Sequence, residues 1–153
     1  MALKRKKKRA ERTTHKSCPK ITLQQALDRV IAGKKAEGLR ERTLTDYMKM
    51  WGYFTDWLAE NYSDIEYVNE LTADIFRNYS NYLQYNAIRY DGHKFITTRE
   101  ERGLKETTIN IRLRTYRSML NYLEREELIE YNPMDNVRLL RQRHRPYELF
   151  NRG

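Results

Sequence analysis

Ile109, Leu113, Tyr116, Leu120 and Leu123 recur at intervals of four, three, four and three residues, which lays one narrow apolar face along an α-helix. A half-buried strand would need alternation with period two, and no segment of this chain keeps that for more than a few residues. The chain is therefore committed to burying helix faces against one another. Three further segments carry helical punctuation. Thr22, with Gln25 three residues later, forms a capping-box pattern, and Leu23, Ala26, Leu27, Val30 and Ile31 share one side before an end near Gly38. Thr43, with Asp46, marks a second start whose inner stripe is Tyr47, Trp51, Phe54 and Leu58. Thr72 opens a third segment bearing Ile75, Phe76, Tyr79, Tyr82 and Leu83. Between the second and third, Ile65, Val68 and Leu71 read as isolated plugs beneath a polar connection. Residues 86–104 have no period of either kind. Thr107 and Thr108 start the fourth helix, and Asn132-Pro133 stops the pattern, because a residue before proline is driven out of the α region. The expectation is an all-α fold, a small four-helix bundle over residues 21–137, flanked by basic tails at 1–20 and 138–153.

The net charge of +9 is unevenly placed. Residues 1–20 hold nine Lys and Arg against Glu11, and the run Lys4, Arg5, Lys6, Lys7, Lys8, Arg9 reads as an electrostatic arm without fixed structure. Residues 138–153 add five Arg against Glu148, whereas the body between the tails carries 16 bases and 19 acids. Cationic flanks on a near-neutral body favour a polyanion through counterion release, and double-stranded DNA is the expected partner. The Lys4–Arg9 run has no apolar face to insert into a membrane surface, and no apolar stretch approaches the ~18 residues of a membrane span. The expected location is the cytoplasm, associated with the nucleoid.

With the stripe Ile109–Leu123 turned inward, Thr107, Asn110, Arg114, Ser118 and Asn121 fall outside, with Thr108 at the helix start and Arg112 and Arg117 on the shoulders. This face has no carboxylate before Glu124. Guanidinium forks for phosphates or guanine edges, beside short hydroxyls and amides, suit a helix lying in a DNA groove, whereas a merely solvated face mixes both signs. The second helix offers Thr45 and Lys49 opposite Tyr47 and Trp51. Arg40 and Arg42 stand just before its cap, and Arg42, Thr43 and Thr45 could hold a phosphate at the helix start; for Thr43 alone a plain cap is the stronger reading, and the two roles can coexist.

No enzyme site is legible. Tyr47, Tyr79, Tyr82 and Tyr116 lie on apolar stripes and are assigned to the core, and Tyr147 lies in the basic tail. His15, His93 and His144 have no metal-ligand spacing, and the lone Cys18 supports neither a disulfide framework nor a zinc knuckle. There is no glycine-rich phosphate loop or nucleophile context, and Glu126-Glu127 reads as a solvated helix end. No catalytic residue, metal, cofactor or small-molecule substrate is expected.

The order of features has a likeness. Thr22-Leu23 opens a helix, Arg42-Thr43-Leu44-Thr45-Asp46-Tyr47 leads to Phe54-Thr55-Asp56-Trp57-Leu58, and Thr108-Ile109-Asn110-Ile111-Arg112-Leu113 runs through Arg117-Ser118-Met119-Leu120-Asn121-Tyr122-Leu123 to Leu128-Ile129 and Asn132-Pro133. Over about residues 21–137 this resembles the core-binding domain of phage-type tyrosine recombinases, the integrases. The resemblance implies a SAM-like four-helix bundle that contacts core-type recombination sites and forms half of a clamp on DNA. In that family a catalytic domain supplies an arginine, a lysine, a His-x-x-Arg pair, a further His or Trp, and the attacking tyrosine. None of these can be placed here, and Pro146-Tyr147-Glu148-Leu149-Phe150 looks like an interdomain linker. Strand cleavage by this polypeptide alone is therefore not expected. The alternative to a DNA-binding module is a protein-interaction module that pairs with or regulates an intact recombinase, with other recombinase protomers as partners.

Overall fold

The computed structural model describes residues 18–87 and 102–141. Among them are four α-helices, α1 (Leu23–Ala36), α2 (Glu41–Asn61), α3 (Ala73–Tyr85) and α4 (Glu106–Arg125), with short 3-10 turns at Val68–Glu70 and Pro133–Asn136. No β-strand occurs among the described residues, where an isolated antiparallel bridge joins Thr22 to Tyr67. The basic arm at 4–9, His15, His93, His144 and Tyr147 lie outside the described residues.

Two caps fall where the sequence places them. Thr22 accepts from the Gln25 amide while the Gln25 side chain accepts from the Thr22 amide, and Thr72 accepts from the Ile75 amide. Two do not. α2 begins at Glu41 behind Arg40, which makes no side-chain capping bond, so Thr43 is inside the first turn rather than its cap. α4 likewise begins at Glu106 behind Lys105, ahead of Thr107 and Thr108. In each case a glutamate opens the first turn, where a negative charge meets the positive end of the helix dipole. The α1–α2 connection is short because Gly38, at φ +87°, takes a left-handed conformation that ends α1 abruptly. The far end of α4 differs from expectation as well: the helix stops at Arg125, with Glu127 left-handed at φ 59°, well before Asn132-Pro133.

α4 is the central element and packs against α1, α2, α3 and the last 3-10 turn. Its stripe Ile109, Leu113, Tyr116, Leu120 and Leu123 is fully buried, as are Phe54 and Leu58 of α2 and Phe76 of α3. Phe54 is the hub, with its ring centroid 4.7 Å from Phe76, 5.2 Å from Tyr79 and 5.5 Å from Tyr116, and with Trp51 and Trp57 at its flanks. Val68 and Leu71 are buried beneath the polar connection as expected, and Ile65 is partly buried against the core.

The chain beyond α4 folds back along that helix. Asn132 is buried and fully bonded: its amide nitrogen donates to the Arg117 carbonyl at 3.1 Å and to Asn121 Oδ1 at 2.6 Å, and its oxygen caps the amide of Met134. Asn110 then pairs with the backbone of Leu140 in both directions, at 3.0 and 2.8 Å. The Asn-Pro pair therefore starts a return segment clamped to α4 rather than stopping a helix.

Candidate nucleic-acid interface

The outward side of α4 inherits its character from the helical step. With Tyr116 pointing inward, Thr107, Arg114, Ser118, Asn121 and Arg125 lie within about 40° of the opposite direction at 100° per residue. Thr107, Thr108, Arg114 and Asn121 are exposed. The sequence-based placement of Asn110 on this side is corrected: it is 2% exposed, because it lies at the edge where the return segment covers α4, and both ends of its amide are used on Leu140. Asn121 keeps its exposure while accepting from Asn132.

The two shoulder arginines part company. Arg117 donates to the Val137 carbonyl at 2.6 Å, on the return-segment side. Arg112 turns to the other side, its guanidinium 4.6 Å from the centroid of Tyr53, in a cleft that also holds Asp56 and Glu60. Arg112 is thereby removed from the cationic face of Arg114 and Arg117.

Arg114, Arg117, Ser118, Asn121, Tyr122 and Arg125 of α4, together with Lys34 of α1, line an open groove of about 390 Å³. Four of these side chains are cations and none is a carboxylate. Sequence reasoning missed Lys34, Tyr122 and Arg125. The signals were the Gly33-Lys34-Lys35 run in the last turn of α1, and the continuation of the 114, 118, 121 rhythm to 125. Gly33 explains how α1 comes so near α4: a Cβ there would collide with the Tyr122 ring. The phenol lies over Gly33, with Lys34 Nζ and the Arg125 guanidinium 5.6 and 5.3 Å from its centroid. Glu37, just outside the groove lining, bridges the same two cations, at 3.4 Å to Lys34 and 2.7 Å to Arg125.

α2 approaches the same side. Tyr47 Oη lies 3.2 Å from Ser118 Oγ, which sets the first third of α2 beside the middle of α4's outer face. Arg40, the residue before α2, and Arg42 in its first turn are both exposed. Thr45 and Lys49 are exposed and directed away from the core, and the Thr45 hydroxyl donates back to the Glu41 carbonyl. Thr43 is half-buried in the first turn.

The core tyrosines are poor candidates for chemistry at neutral pH. Burial pushes the Tyr116 phenol well above its usual range and the Tyr79 phenol upward too, with their oxygens 3.4 Å apart. Tyr116 donates to the Met50 carbonyl at 2.7 Å, and Tyr47 and Tyr82 are half-buried. Among the described residues no three His, Cys, Asp or Glu side chains gather as a metal site, and no helix is long and apolar enough to cross a membrane.

An all-α bundle with a central, arginine-faced last helix defines a small SAM-like domain of the kind found at the N-terminus of integrases. The phage integrase SAM-like domain family matches residues 22–139, and the chain belongs to that family. The N-terminal domain of a phage integrase/site-specific recombinase from Haloarcula marismortui superimposes with a TM-score of 0.59 at 19% identity, over 80% of this chain and 99% of that one. Lambda integrase, solved as a dimer bound to a COC' core site, superimposes with a TM-score of 0.57 at 16% identity, over 87% of this chain and 34% of that one. This chain thus corresponds to about a third of the lambda integrase chain. A comparison with curated protein sequences finds no match.

Proposed function

We propose that this chain is a DNA-binding module of a tyrosine-recombinase-type integrase, which sets the outward face of α4 and the start of α2 against a core-type recombination site without itself cleaving the strand. The observation that carries this reading is the groove on that face, lined by Lys34, Arg114, Arg117 and Arg125 and by no carboxylate. Exposed Thr107 and Asn121 supply short polar groups beside the arginines, the combination that phosphate and base-edge contacts use. The basic segments 1–20 and 138–153 then add sequence-independent grip. The solved lambda integrase complex, in which a dimer holds a core site, supports both a DNA partner and a second protomer.

Titration of the labelled full chain with duplex DNA, followed by amide chemical shifts, tests the reading. Shifts should concentrate at Lys34, Thr107, Arg114, Ser118, Asn121 and Tyr122. Perturbation confined to α3 and residues 63–70, or none at all, would overturn it. Pairing with a recombinase protomer is the second reading, favoured by the exposed Met48, Tyr53 and Ile111 side chains. Binding of that kind would survive moderate salt, whereas DNA binding would weaken steeply.

A further inference from the structure

Glu37 occupies an informative position. Its two carboxylate oxygens are divided between Lys34, which takes Oε1, and Arg125, which takes Oε2. A phosphodiester also presents two terminal oxygens that share one negative charge, and a guanidinium fork receives either group in similar geometry. We propose that the cluster of Lys34, Tyr122 and Arg125 is a phosphodiester-binding site for one backbone phosphate of duplex DNA, and that Glu37 is its resident counterion, displaced when the phosphate arrives. The proposal rests on the DNA-binding reading above and assigns one contact within it.

Three features favour exchange over a fixed ion pair. The Arg125–Glu37 pair is exposed, with side-chain accessibilities of 59% and 41%, so water and salt already weaken it. Counting Glu37 against Lys34, Arg114, Arg117 and Arg125 leaves the groove with a surplus of three positive charges that an incoming anion would still meet. The floor is also prepared: Gly33 leaves room for the Tyr122 ring, and that ring holds both cations at its face without neutralising them.

The test measures affinity of the full chain for a duplex at two salt concentrations, with Glu37→Gln, Arg125→Ala and Gly33→Ala set against Asp64→Asn. Asp64 is an exposed carboxylate beyond the far end of α2, roughly 20 Å along that helix from Tyr47, which touches the groove at Ser118. Glu37→Gln should tighten binding by about three- to tenfold at low salt, well beyond the Asp64→Asn control. Arg125→Ala should weaken binding to all sequences alike and reduce the salt slope by about 1. Gly33→Ala, which drives Tyr122 off α1, should weaken binding with the helical circular dichroism retained. Inorganic phosphate should compete better than chloride at equal ionic strength in wild type, and this advantage should vanish in Arg125→Ala. No binding of duplex by wild type would sink the DNA-binding reading and this site with it. If wild type binds but Glu37→Gln is no tighter than Asp64→Asn, and Arg125→Ala is unchanged, the phosphate site alone is overturned.

Discussion

The α2–α3–α4 interior and the α1–α4 edge are held together in opposite ways. In the interior, Phe54 is ringed by Trp51, Trp57, Phe76, Tyr79 and Tyr116. Its strength comes from apolar burial and ring packing, which no soluble ligand competes for. Along the edge, α1 fully buries only Ala26 and Val30, and its end meets α4 through the Tyr122 ring and the exposed Arg125–Glu37 pair. An exposed pair contributes ~0–1 kcal/mol, so it can be traded for a ligand without loosening the bundle. The fold is thus secured on one side of α4 and left open to exchange on the other.

The sharpest way to break this contrast is at the hub. Phe54→Ala should cost about 3–5 kcal/mol, a large part of the stability of a domain this small, read as the shift in urea midpoint. A loss under about 1 kcal/mol would show that the aromatic cluster does not dominate.

A smaller effect belongs to the return segment. Asn110→Ala removes both bonds to Leu140 and should cost about 1–2 kcal/mol, with hydrogen exchange at the Leu140 amide accelerating far more than exchange at the core amides of α4. Equal acceleration throughout α4 would mean that Asn110 supports the whole bundle rather than the path of the exit segment.

The helices were legible because their apolar spacing is regular, and all five residues of α4's four-three rhythm are buried, with Met119 and Asn110 added to them. Helix starts were less so. Thr43 and Thr108 have the right chemistry to cap, but a glutamate three residues or fewer upstream opens each helix earlier, and a single chain gives no way to weigh the two signals. Asn110 shows the deeper limit. Its angular position alone puts it at the boundary of the buried arc, and only the course of residues 132–140 decides that this boundary is covered. The groove was half legible for the same reason: Arg114, Arg117 and Asn121 follow from the period of one helix, whereas Lys34 joins them through a contact between helices that begins at Gly33.

The central claim, that the outward side of α4 faces duplex phosphates, is tested most directly by the salt dependence of duplex binding in wild type and in Arg114→Ala, whose side chain is exposed and takes no part in the core. The account predicts a steep fall of log affinity with log salt in wild type, a slope shallower by about 1 in the variant if Arg114 meets a phosphate, and unchanged thermal stability. Wild type that binds duplex with the same affinity and the same slope as Arg114→Ala would contradict it.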